Sequence, residues 1–227
     1  MAIFLYIDTA GEKAIVAISN NEQLLASAEN TQSNTHASFV QVAIEEVAKT
    51  AGIQLQEIDA VVVTMGPGSY TGLRVGLSSA KGIAYALQKP LIGLSTLALL
   101  AEHAIQNAPI ASVPNLQLFS MIDAKRMEVF GAIYKTDRSI IVAEQAIILS
   151  EDYLKSMLAK GPLLCVGNGA SKTKALLTDP DLYFLETSYT TKDLINLAQS
   201  AWSNKQFEDL AYSKPAYLKD FYQKPAL

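Results

Sequence analysis

The chain is 227 residues long, half of them hydrophobic and 18% charged, with 18 basic against 22 acidic side chains for a net charge of −4. That apolar share supplies a packed core and excludes a disordered polypeptide, and the length fits one large or two small domains. The acidic balance excludes a broad basic field of the kind that carries autonomous nucleic-acid binding, so a nucleic-acid role would run through a partner.

Along the chain, apolar runs rich in β-branched residues predict strands at 3–8, 13–19, 23–29, 59–64 and 91–94, then at 116–122, 128–135, 140–148, 163–166 and 182–185. Helical spacing predicts helices at 35–51, 70–87, 95–106, 150–159, 169–177 and 190–203. Three strands precede a helix in each half, which reads as a mixed sheet with an antiparallel edge. The halves also echo one another. Phe4 to Asp8 and then Ala17-Ile18 align with Phe119 to Asp123 and then Ala132-Ile133 at a constant offset of 115 positions. Further on, Ala60 to Val63 leads into Gly66-Pro67-Gly68, and Leu163 to Val166 leads into Gly167-Asn168-Gly169. Two similar α/β lobes with mixed sheets are therefore expected, residues 1–106 and 107–214, joined through Asn107 to Pro114. Residues 215–227 are expected to form a terminal segment returning to the first lobe. Asp8 and Asp123 would stand at matching turns beside a cleft.

The densest loop is Gly66 to Gly72, which reads Gly-Pro-Gly-Ser-Tyr-Thr-Gly. Ser69 or Thr71 can cap the following helix, whose first amides favour an anion. No Gly-Lys-Ser/Thr follows, so this is not a P-loop, and the third glycine falls one residue late for the dinucleotide fingerprint. A tight, ligand-free turn accounts for the loop equally well. The two long helices of the first half are apolar over more of their circumference than one sheet requires. Glycine inside a helix costs ~1 kcal/mol against alanine, so Gly72, Gly76 and Gly82 call for close packing, inside the lobe or against a partner. The partner surface is expected at His36, Phe39, Val40, Ala43 and Val47 of the first helix and Gly72, Val75, Gly76, Ser79 and Ile83 of the second. His36 reads as an interface or capping residue rather than a catalyst.

His36, His103 and Cys165 are scattered, so no protein-only zinc site is expected, whereas Mg²⁺ held by carboxylates and phosphate stays open. A lone cysteine cannot close an internal disulfide, which points to a reducing compartment. No uncharged apolar run reaches the ~18 residues of a membrane span, so a soluble, cytoplasmic chain without membrane contact is expected.

Met65 to Gly76, with its Gly-Pro-Gly-Ser-Tyr-Thr-Gly-Leu-Arg core, resembles the Gly-Pro-Gly-Ser-Phe-Thr-Gly-Leu-Arg motif of the TsaB (YeaZ) family in the actin/Hsp70/sugar-kinase (ASKHA) superfamily. Four further segments agree in order: Ile7-Asp8-Thr9, Ser33 to Val40 with His36, Ile122-Asp123-Ala124 with Glu128-Val129-Phe130, and Gly167-Asn168-Gly169. The closing Pro215 to Lys219 is similar to the family's Pro-x-Tyr-Leu-Arg. The resemblance implies a duplicated actin-like, ribonuclease H-like ASKHA fold. It also implies a non-catalytic subunit in attaching threonylcarbamoyl to the tRNA adenosine next to the anticodon. The implied partners are the catalytic paralogue TsaD, which carries the metal, the ATPase TsaE, and a second copy of the chain in isolation. Contact would run through helices 35–51 and 70–87, and tRNA would be reached only through the complex.

On that reading no residue is catalytic, none ligates metal and the chain alone holds no cofactor, ATP or ADP belonging to the assembled complex. Asp8, Thr9, Gly66, Gly68, Ser69, Asp123, Gly167 and Gly169 would line a vestigial nucleotide cleft. The chain departs from the family at Lys125 and Lys219, where arginine is usual and lysine cannot reproduce the guanidinium fork. Ala10 likewise replaces a glycine of the superfamily's phosphate turn. Two other classes stay open: a self-contained actin-like ATPase or small-molecule kinase working through Asp8, Asp123 and both Gly-x-Gly turns, and a metalloprotease, for which the ligands are lacking.

Overall fold

The structure, a computed structural model, describes residues 2–32, 36–109 and 113–219. Ser33 of the family-like segment, Thr35 of the first expected helix, residues 110–112 of the expected linker and the tail from 220 lie outside them. Every expected strand and helix is found, with ends displaced by no more than three residues.

Unit 1 holds a sheet of β1 (Ile3–Asp8), β2 (Ala14–Asn20), β3 (Gln23–Asn30), β4 (Ala60–Gly66) and β5 (Leu91–Ser95), in the order β3-β2-β1-β4-β5. β1 runs antiparallel to β2 and parallel to β4. β1 and β4 are buried almost throughout, which is why they read as continuous apolar runs. Alternation sorts their side chains: Leu5, Ile7, Val61 and Val63 meet α1 (His36–Ala51) and α2 (Tyr70–Leu87), which lie side by side and share one core. Phe4 points the other way, with its ring 5.3 Å from that of Trp202 in α6 (Thr191–Ser203).

Unit 2 repeats the plan. Its strands are β6 (Gln117–Asp123), β7 (Glu128–Lys135), β8 (Ile140–Ile148), β9 (Leu163–Val166) and β10 (Leu182–Leu185), in the order β10-β9-β6-β7-β8. Read from the other edge, this is the order of unit 1 strand for strand, with β6 antiparallel to β7 and parallel to β9. The 115-residue echo is thus a duplicated α/β architecture of actin-like type. The first hairpin pairs Asp8 with Ile15 and the second pairs Asp123 with Val129, one residue tighter. Phe119, Met121 and Cys165 pack under α4 (Glu151–Leu158) and α5 (Ala170–Lys174), both much shorter than their unit 1 counterparts. Burial pushes the Cys165 thiol up to about 12, so it is inert packing.

The units divide differently from the expected 1–106 and 107–214. Residues 2–103 and 189–215 form unit 1; 104–188 and 216–219 belong to unit 2. The segment that returns to the first sheet is therefore 189–215, and the described part of 215–227 beyond Pro215 sits with the second. The cause is packing that periodicity does not report. α6 buries Leu194, Ile195, Ala198 and Ala201, and its Asp193 and Asn196 bond His103 and Glu102 of α3 (Thr96–Asn107). Beyond it Glu208 N donates to Leu91 O at 2.8 Å on the β5 edge, and Lys81 Nζ donates to the carbonyls of Ala211 and Ser213. Among the described residues no helix is long and apolar enough to cross a membrane.

Candidate functional site

β1 delivers Asp8 to a buried position, 1% exposed. Its Oδ1 accepts from Ala10 N at 2.9 Å and Thr64 Oγ1 at 2.6 Å, and its Oδ2 from the Tyr189 hydroxyl at 2.8 Å. Every donor is neutral. Burial pushes the Asp8 carboxyl above its ordinary range against these bonds and the weaker influence of His36. Burial, and then the Asp8 charge, push the Tyr189 hydroxyl far up as well.

The glycine loop closes on the same turn. Thr9 Oγ1 donates to Gly72 O at 2.6 Å, and Ser69 N donates to Ala10 O at 2.7 Å. Ser69 Oγ caps α2 by accepting from Gly72 N at 3.2 Å. A Cβ at Gly68 would overlap Ala10 O, at Gly72 it would overlap Thr9 O, and at Gly76 it would overlap Thr9 Oγ1. The helix glycines therefore let α2 sit directly on the β1–β2 turn. Thr9, Gly68 and Ser69 thus close on the turn that follows Asp8 and on the start of α2, while Gly66 ends β4.

In unit 2, Asp123 holds the equivalent strand end with the opposite environment. Its side chain is 45% exposed, and its Oδ1 accepts from Lys172 Nζ at 2.6 Å and Lys125 N at 2.6 Å. The Lys172 ammonium, first of the causes, holds the carboxyl below its usual range. Lys172 Nζ also donates to Glu128 O at 2.8 Å, and Asp123 N donates to Asn168 Oδ1 at 2.9 Å. Gly167 (φ 102°) takes the positive dihedral of Gly66 (φ 110°), so the first glycine of each Gly-x-Gly turn has the same left-handed sense. Gly169 packs closely on Val129 and Met121. Lys219 pairs with Glu128, whereas the Lys125 side chain has no bonding partner among the described residues.

These donors do not fit a magnesium nucleotide. Asp8 is wrapped in neutral donors, the Ser69 amide that would face a phosphate is taken by Ala10 O, and Asp123 is already bound by an internal ammonium. Among the described residues no three His, Cys, Asp or Glu side chains are grouped to hold a metal. Thr64, Tyr189 and Lys172 were not anticipated. Only Lys172 left a trace, standing three residues after the second Gly-x-Gly on the first turn of a helix.

The expected partner surface needs correction. His36, Val40, Ala43, Val47, Gly72 and Gly76 are buried within unit 1, because α1 and α2 pack against each other and the same sheet face. His36 Nε2 is enclosed without a hydrogen-bond partner among the described residues. Phe39, Val75, Ser79 and Ile83 remain partly exposed. Val42, 65% exposed, stands on the outer side of α1, and Gly82 has open space around it. Gln41 Nε2 ties the two helices by donating to Ser79 Oγ at 2.9 Å.

A family model described as TsaD, tRNA N6-adenosine threonylcarbamoyltransferase, matches residues 23–224. The chain belongs to this family. Over most of its length it is similar to curated proteins named TsaB and shares the fold of a solved structure named YeaZ. The tRNA threonylcarbamoyladenosine biosynthesis protein TsaB of Escherichia coli is 26% identical over 95% of this chain and 94% of its own. A tRNA N6-adenosine threonylcarbamoyltransferase of Clostridium perfringens is 34% identical over 41% of this chain and 32% of its own. The solved structure of YeaZ from Pseudomonas aeruginosa shares the fold at a TM-score of 0.79, with 24% identity, covering 96% of this chain and all of that one.

Proposed function

We propose that the chain serves the biosynthesis of threonylcarbamoyladenosine in tRNA as a non-catalytic subunit that binds and activates a TsaD-type transferase. The observation that carries this reading is that both strand-end aspartates are consumed internally, Asp8 by three neutral donors and Asp123 by Lys172. A group-transfer centre needs electrostatic capacity to spare at such positions, whereas here one carboxylate is buried among neutral donors and the other is matched by an internal ammonium. The docking surface is the outward seam of α1 and α2: Phe39, Val42, Val75, Ser79, Gly82 and Ile83. Small residues on a helix face let a second helix approach closely, and the seam is apolar enough to reward that burial. The same seam holds two copies together in isolation. TsaE, ATP or ADP, and tRNA engage the assembled complex.

The test is co-elution with a TsaD-type transferase in size-exclusion chromatography. Val42→Glu and Gly82→Gln change side chains with solvent around them, so both variants should keep the wild-type melting temperature within a few degrees and lose co-elution. Co-elution of both at wild-type affinity would overturn the surface. Turnover of ATP by the isolated wild-type chain would overturn the non-catalytic reading.

A further inference from the structure

The β6–β7 turn concentrates positive charge in an otherwise acidic chain. Lys125 and Arg126 are exposed, adjacent, and in the left-handed region at φ 68° and φ 50°. Non-glycine residues are uncommon there, and two in succession more so. Three bonds hold the turn: Lys125 N on Asp123 Oδ1 at 2.6 Å, Ala124 N on Glu128 O at 3.2 Å and Glu128 N on Lys125 O at 3.2 Å. The two carboxylates beside it are already matched, Asp123 by Lys172 and Glu128 by Lys219. Neither the Lys125 nor the Arg126 side chain has a hydrogen bond or ion pair among the described residues. The surplus charge at the turn is therefore these two side chains, on a frame braced by neighbouring ion pairs.

We infer that the Lys125–Arg126 turn is a contact for the phosphate backbone of tRNA, which this chain itself contributes when the complex engages its substrate. The inference rests on the reading above that the complex acts on tRNA. Two adjacent cations on a rigid turn suit a strand carrying a charge at every phosphate, and such contacts position the nucleic acid without reading its sequence. With a net charge of −4, two local contacts would not offset the overall repulsion, so the chain alone should bind tRNA weakly. Arg126 adds the planar fork suited to a phosphate, and Lys125 adds a point charge beside it.

The experiment compares wild type with Lys125→Ala/Arg126→Ala, each assembled with a TsaD-type transferase, by titrating tRNA at several salt concentrations. Each lost phosphate contact should flatten the slope of log K against log salt by roughly 0.7–0.9. The double variant should thus lose about 1.4–1.8 from the slope and bind tRNA more weakly at low salt, while co-elution with the transferase is unchanged. Lys13→Ala, which removes an exposed cation of unit 1 paired with Glu29, should leave the slope as it was. An unchanged slope in the double variant, or an equal loss with Lys13→Ala, overturns the assignment. Loss of co-elution in the double variant alone makes the turn a protein–protein contact and also overturns it. If the wild-type chain forms no complex at all, the proposed function fails and this inference falls with it.

Discussion

Two glycines of α2 should respond to alanine in opposite directions. At Gly82 a methyl group meets nothing within 4 Å, so alanine brings only its better helix propensity, about 1 kcal/mol of stabilisation. At Gly76 the same methyl group would overlap Thr9 Oγ1 and lie 3.6 Å from Thr9 Cβ and 3.7 Å from Ile7 Cγ2. The hydroxyl cannot swing away freely, because it donates to Gly72 O at 2.6 Å in a buried setting. Relief requires losing that bond, at about 1–3 kcal/mol, or shifting α2 from the sheet at a similar overpacking penalty. Against the ~1 kcal/mol propensity gain, Gly76→Ala should be net destabilising by roughly 0–2 kcal/mol. In a chain of this size that lowers the melting temperature by about 2–4 °C per kcal/mol, while Gly82→Ala raises it by a similar single increment. Differential scanning fluorimetry resolves both. Thr9→Ala/Gly76→Ala should be less destabilised than the sum of its single changes, since removing Oγ1 leaves only ordinary contacts. Additive effects, or a stabilised Gly76→Ala, would refute the packing of α2 on the β1–β2 turn.

Asp8→Asn should fold and leave modification by the assembled complex within a few-fold, because Asn Oδ1 keeps Ala10 N and Thr64 while its amide donates to the Tyr189 oxygen. Asp8→Ala strands those donors and should lower the melting temperature well beyond Asn; equal melting of the two would refute the buried bonding role. With its folded pKa raised, Asp8 makes wild-type stability fall as pH rises from the ordinary carboxylate value through the folded one, and Asp8→Asn should lack that component in chemical denaturation across pH. Lys172→Met should raise the Asp123 pKa, followed by NMR titration, toward the ordinary ~3.9. The pair's contribution is present above that value and is lost as pH falls through the lowered one; at its exposure it amounts to less than about 1 kcal/mol. Lys81→Met removes the donor to Ala211 O and Ser213 O and should speed amide exchange in 209–215; unchanged exchange would refute the anchoring of that segment by Lys81.

Much of this molecule was written in local pattern. Apolar runs ending in Ile-Asp at Phe4–Asp8 and Phe119–Asp123 located the two central strands, and their constant spacing disclosed the duplication, because a strand buried on both faces is marked by its own local composition. The glycine loop and its match at Gly167-Asn168-Gly169 were equally visible, since a positive dihedral after a strand selects glycine. What periodicity could not say was which surface each pattern would meet. α1 and α2 showed apolar residues over a wide arc, yet Val40, Ala43, Gly72 and Gly76 turn into the lobe's own core, and the outward seam begins at Phe39, Val42 and Gly82. Two aspartates at equivalent strand ends read alike in one dimension. Tyr189, 181 residues further along, makes one a buried acceptor, and Lys172 makes the other an exposed ion pair. Strand, turn and helix are chosen by near neighbours, and so belong to the sequence. Burial, protonation and the identity of a side chain's partner depend on residues distant in the chain, and only tertiary structure brings those together.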